Sequence, residues 1–117
     1  MIEAIIVDYL QTALTDASGS VPVSGLVPSP MPSMFVTVEK TGSRTENLIR
    51  RATLAIQSWA ATQEAAALLN ERVIAAMYAA TALPAISAVQ CETDYNFTDT
   101  TTKKARYQAV FGVVYME

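Results

Sequence analysis

The chain has 117 residues, 51% of them hydrophobic, with eleven acidic side chains against eight basic ones, one cysteine and no histidine. Its length corresponds to a single domain over 1–117, large enough to bury about two thirds of its unfolded surface without disulfides. The lone Cys91 excludes an internal disulfide framework, the missing histidine removes the commonest metal ligand and general base, and the net charge of −3 opposes a grip on nucleic-acid phosphates.

From its first residues the pattern is helical. Ile2, Ile5, Ile6, Tyr9, Leu10, Ala13 and Leu14 recur at three- and four-residue spacings, which predicts an amphipathic helix over 2–14. Glu3 and Asp8 stand where a secretory leader needs a basic segment and an unbroken apolar run. No stretch reaches the roughly 20 apolar residues of a membrane span, so the expectation is a soluble protein made inside the cell, with no membrane partner. Gly19 marks a turn. Pro22, Pro28, Pro30 and Pro32 then allow only a short edge strand within 21–27, followed by an extended surface connection. Strands are expected over 34–40 and 48–59, separated by the polar loop "TGSRTEN" from Thr41 to Asn47.

Thr62 is placed to cap a second helix, and Glu64 sits in its first turn, where negative charge favours the helix dipole. Over 63–80 the core-facing positions are Ala65, Leu69, Val73, Ala76, Met77 and Ala80, while Gln63, Asn70 and Glu71 point elsewhere. Leu83-Pro84 ends this helix, because the residue before proline is pushed out of helical geometry. No glycine or proline separates the strand ending at Trp59 from the helix starting after Thr62, so the joint between them is stiff.

The last third reads as a hairpin with its turn centred on Thr100. That register sets Val89 opposite Phe111, Cys91 opposite Ala109, Glu92 opposite Gln108 and Asp94 opposite Arg106. Helix, strands, helix and hairpin in this order predict an α+β fold: a mostly antiparallel β-sheet with two α-helices packed on one face. Towards the C-terminus, Val110, Val114 and Met116 alternate with Phe111, Val113 and Tyr115. A sheet with one face under helices normally turns water-compatible residues outward. Here both faces are apolar, so something is expected to cover the outer one.

Each chemistry-bearing feature has a plainer reading beside it. Cys91 as a nucleophile lacks a histidine base, and as a small buried hydrophobe it needs none. Glu92 and Asp94 on one strand face resemble the paired carboxylates of glycosidases, or a solvated strand face beside Arg106. "TGSRT" echoes a phosphate loop without its second glycine and its lysine, and it joins strands instead of opening a helix. Asn96-Phe97-Thr98 is a glycosylation acceptor that has no use without secretion. Lys40, Arg44, Arg50 and Arg51 are the one basic concentration, fit for an acidic protein partner, for nucleic acid, or for plain solvation. Trp59 is a core residue under the strand–helix joint or, on the sharper reading, an intersubunit anchor. No catalytic, cofactor or metal site is expected. The candidate interface positions are Lys40, Arg44, Arg50, Arg51, Trp59, Asp99, Val110, Val114 and Met116.

The segment "LAIQSWAATQEAAALLNERVIAAM", from Leu54 to Met77, resembles one familiar from phage tail terminator and tail-completion proteins. In those families a strand ends in an aromatic followed by alanine, and a small polar cap then opens an alanine- and leucine-rich helix. The flanking order is similar too: an N-terminal helix, a proline-broken entry into a strand, and a closing pair of long strands. The resemblance implies a non-enzymatic virion protein that forms a hexameric ring at the head-proximal end of a tail tube. Its implied partners are the major tail tube protein and a head-completion protein, with phage DNA passing through the lumen without specific binding. A head-completion (stopper) protein is the nearest alternative, and a small nucleotide-binding protein or a dimeric binding module are more distant ones. In such a ring the stiff joint at Trp59 holds each subunit's contact surfaces at one angle, and the turn around Asp99 to Thr102 projects toward a neighbour.

Overall fold

A computed structural model of the chain describes every residue except Ala17, Ser18, Asp99, Thr100, Thr102, Lys103 and Glu117. Helix α1 runs over Ile2–Ala13 and buries Ile2, Ile6 and Leu10, the stripe set by its apolar spacing. Strand β1, Val23–Ser24, follows the first proline, and its Pro22 carbonyl accepts the Val36 amide at 2.9 Å. Strands β2 (Phe35–Glu46) and β3 (Ile49–Ala60) form a long hairpin. Helix α2, Gln63–Ala79, comes next and ends in a 3-10 turn over Ala80–Ala82. Strands β4 (Ile86–Asn96) and β5 (Ala105–Tyr115) close the chain.

The five strands lie in the order β1-β2-β3-β5-β4. β1 runs parallel to β2 and every other pairing is antiparallel, so the fold is α+β. Both helices contribute to one core with the same side of the sheet, where Leu69, Val73 and Met77 of α2 and the stripe of α1 meet Val38, Leu54, Ile56 and Phe111.

The helix ends satisfy one another. The last carbonyls of an α-helix have no partner within it. Tyr9 of α1 donates its hydroxyl to the Ala76 carbonyl of α2 at 2.6 Å. In return Arg72 of α2 donates to the Leu14 carbonyl just past α1 at 2.7 Å, and it also pairs with Asp16 at 3.2 Å. At the start of α2, Thr62 takes the expected capping role: its side-chain oxygen accepts the Ala65 amide at 3.1 Å. Ala61 and Thr62 are the two residues between β3 and α2, and a small alanine cluster of Ala60, Ala66 and Ala105 packs beneath that joint.

Three expectations need correction. "TGSRTEN" is no loop: β2 continues through it, and the reversal is a two-residue turn at Asn47-Leu48. Asn70, expected to point away from the core, is 1% exposed and donates to Asp94 of β4 at 2.9 Å. The closing hairpin has a different register, with Val89 opposite Val113 and Cys91 opposite Phe111. Beyond a bulge between Cys91 and Thr93 it shifts again, so that Asp94 faces Ala109 and Tyr95 faces Gln108. A bulge adds one residue to one strand and reverses the facing of all that follows.

Candidate assembly surface

The face of the sheet opposite the helices carries no helix, and the cross-strand register arranges its side chains in rows. In the first row Phe35 stacks on Trp59, with ring centroids 5.2 Å apart and planes 14° apart. Arg106 follows, its guanidinium carbon 4.7 Å from the Trp59 ring and 4.2 Å from that of Phe97. Its Nε donates to the Phe97 carbonyl at 2.7 Å, and Phe97 meets Tyr95 edge-on. Trp59 is thus 2% exposed, buried within its own subunit on the far side from the helices. It is not wedged beneath the strand–helix joint; the alanine cluster fills that place.

The second row is a hydrogen-bond chain across four strands. Thr37 donates to Gln57 at 3.4 Å, Gln57 to Gln108 at 2.8 Å, and Gln108 to the Tyr95 hydroxyl. Beyond it the rows mix small and apolar side chains with polar ones: Glu39, Ala55, Val110 and Thr93, then Thr53, Gly112 and Gln90, then Arg44, Arg51, Val114 and Ala88. Val110 and Val114 are half-buried and Met116 is 65% exposed. A shallow trough of about 690 Å³ lies here, with Gly42, Thr53 and Gly112 among its lining residues. The Glu92 carboxylate occupies the space that a side chain on Gly112 would take, at 2.9 Å from such a Cβ.

The basic group is divided between the two strands of the β2–β3 hairpin. From Glu39 onward β2 is exposed, and so are Ile49 to Arg51 at the start of β3; this arm of the hairpin stays paired with β5 as far as Arg50 opposite Tyr115, and only the Glu46–Ile49 pair and the turn run past it. Arg44 and Arg51 sit directly opposite one another on it. Directly opposed like charges destabilise a strand pair, and neither arginine has a carboxylate partner among the described residues. Lys40 and Arg50 belong to the alternate rows of the same arm. At its tip Leu48 is 96% exposed with φ of 66°, next to Asn47 at φ of 52°. Sequence reasoning placed Leu48 and Ile49 at the start of the second strand and did not single them out, because it read Thr41 to Asn47 as a loop instead of a strand and half of a tight turn. The available signal was Asn47 between two alternating runs, since a two-residue hairpin turn needs positive φ at both central positions and asparagine tolerates it.

At the opposite sheet edge, carboxylates gather. The Cys91 amide donates to the Tyr78 hydroxyl of α2 at 3.0 Å, which covers part of the β4 edge. Burial, then the charges of Asp94, Glu71 and Glu92, push the Cys91 thiol above its ordinary pKa, so it is poorly suited to a thiolate role. Cys91 itself is only partly buried and faces Phe111, not the expected Ala109. Glu92 and Asp94 do not share a face: the bulge leaves Glu92 over Gly112 on the open side and brings Asp94 to Asn70 on the helix side. The expected pairing of Asp94 with Arg106 is likewise replaced by the ring stack. Asp99 and the turn read as a projecting arm lie outside the described residues.

No known protein-family model matches the chain, and no curated protein is similar enough to stand as a relative. Among the described residues, no helix is long and apolar enough to cross a membrane.

Proposed function

We propose that this protein is a structural component of a phage virion, a tail terminator whose copies close into a ring, with six as the expected number. The ring caps the head-proximal end of the tail tube and offers a docking face to head-completion proteins. One observation carries the reading: the outer face of the sheet keeps Val110, Val114 and Met116 among its polar side chains, and no helix of the described residues lies over them. Apolar surface left in water is unfavourable by about 25 cal/mol per Å², and copies of one chain can hide it if two different patches complement each other head to tail.

The joint between β3 and α2 supports this reading. Closure of a ring needs one fixed angle between contact surfaces, and here two residues, a hydroxyl cap and a packed alanine cluster hold helix to strand. The net charge of −3 suits a lumen through which DNA slides without being held. In this role the protein has no catalytic activity and its place is the virion.

Mixing the purified protein with polymerising tail tube protein and viewing the product by negative-stain microscopy tests the reading. Tubes of limited length bearing a ring at one end are the expected result. Tubes that lengthen unchanged, with no density at either end, would remove it.

A further inference from the structure

Gly42, Thr53 and Gly112 form one cross-strand row on the open face, contributed by β2, β3 and β5 in turn. The glycines bring no side chain to it, so this row is the floor of the shallow trough of about 690 Å³, with the Thr53 side chain rising between them. A Cβ on Gly42 would meet nothing within 4 Å, so the space above that end of the floor is open. The trough falls within the roughly 300–1,000 Å³ of ligand-binding clefts.

Charge stands on both sides of the floor. The next row sets Arg44 directly opposite Arg51, and the Glu92 carboxylate lies over Gly112. All three side chains are exposed and line the trough, and among the described residues none of them has an ion-pair or hydrogen-bond partner. An opposed pair of like charges costs a sheet stability, and an oxyanion seated between the two guanidiniums removes that repulsion, since their planar forks match carboxylate and phosphate oxygens alike. Glu92 decides between these two anions. A phosphoryl group carries about −1.5 to −2 charges at pH 7 and would share the floor with a carboxylate. A single carboxylate suffers less, and a cationic group following it meets Glu92 favourably. On the sheet grid the arginine pair and Gly112 are one and a half strand spacings and two residues apart, about 10 Å. Alternate side chains of an extended chain lie on one side about 6–7 Å apart, and the length of the arginine and glutamate side chains covers the difference.

We propose that this trough binds an extended peptide segment of a partner protein, with an aspartate or glutamate between Arg44 and Arg51 and a lysine or arginine two residues along at Glu92. The site lies within one subunit and does not depend on the ring reading. A floor without side chains at Gly42 and Gly112 admits a main chain close to the sheet, and the Thr53 hydroxyl is there to bond a peptide group. A shallow trough crossing three strands suits a chain passing over it better than an enclosed small molecule. Gly42 and Arg44 both come from "TGSRT", the stretch that echoes a phosphate loop; Glu92 is what turns the site from phosphate.

Titration followed by backbone amide NMR tests this on the intact chain. The probe is a capped pentapeptide with aspartate second, lysine fourth and glycine elsewhere. It should shift the amides of Gly42, Thr53 and Gly112. Asparagine in place of its aspartate should weaken binding about tenfold, and so should Arg44→Gln or Arg51→Gln in the protein, because each removes a charge-assisted hydrogen bond. Glutamine in place of the lysine should weaken binding a few-fold, as for an exposed ion pair. In the Glu92→Gln protein that preference should vanish, while inorganic phosphate, the weaker ligand of the wild type, should bind more tightly. These exposed positions tolerate substitution with little change in stability. Shifts absent from the three floor residues, an asparagine peptide that binds equally well, or phosphate that outcompetes the peptide on the wild type would each overturn the proposal. None of these results bears on the capping of tail tubes, which tests the ring separately.

Discussion

Trp59 shows how much one residue's surroundings decide. Its ring lies between Phe35 and the Arg106 guanidinium, so it combines a stacked aromatic pair with a cation over a ring face. Replacing it with alanine should cost about 3–5 kcal/mol, read from the midpoint shift in urea denaturation. A loss below about 1 kcal/mol would mean that the stack contributes little. Cys91 makes a second prediction at this scale. Its thiol is held above the ordinary value by burial and by Asp94, Glu71 and Glu92, so alkylation should lag behind a free thiol at neutral pH and its rate should rise only at higher pH. A group whose folded pKa is raised contributes stability that is fully present below the unfolded pKa and is lost as pH climbs through the folded one. Stability should therefore fall on the alkaline side, and Cys91→Ala should make that fall shallower.

Among the elements, the helix pair and the arm behave in opposite ways. The helices exchange hydrogen bonds at their ends through Tyr9 and Arg72, so Tyr9→Phe should cost about 1 kcal/mol, visible in thermal unfolding. Thr62→Ala should cost a similar amount by uncapping α2, about 0.5–2 kcal/mol. The arm, in contrast, carries a side chain that its own fold does not favour. Leu48 is exposed at φ of 66°, a conformation that costs an L-residue about 1–2 kcal/mol. Leu48→Gly should raise monomer stability by up to about 1 kcal/mol and at the same time weaken self-association. Stability would be followed by urea denaturation of the monomer and association by sedimentation. A change that lowers both, or leaves association untouched, would mean that Leu48 serves the hairpin and not a neighbour.

At the scale of the whole molecule, the longest dimension is 43 Å while the Cα radius of gyration is 13.9 Å, close to the about 13 Å of a compact chain of 100 residues. The body is compact, and only the Glu46–Ile49 end of the β2–β3 hairpin runs past the last row paired with β5. On the ring reading, burial of Val110, Val114 and Met116 drives assembly, so self-association read by sedimentation velocity should hold or strengthen as sulfate is added. An oligomer that falls apart as salt rises would point to pairs of exposed charges as the driving force instead.

Much of this architecture was legible along the chain. The three- and four-residue spacings of α1, the Thr62 cap and the Pro84 stop marked both helices, and the alternation around Val110 and Phe111 marked a strand with apolar residues to spare. Periodicity is a local property, so one sequence displays it. The side that Trp59 takes, the parting of Glu92 from Asp94 and the extension of β2 through "TGSRTEN" were settled only in three dimensions. Strand pairing is non-local, and a single inserted residue turns every later side chain to the other face. The bulge at Glu92 sits where the Cys91 amide meets Tyr78 and Asp94 meets Asn70, contacts with a helix more than ten residues away in sequence. Spacing along the chain cannot anticipate that, because the strand's facing depends on contacts with a helix distant in sequence.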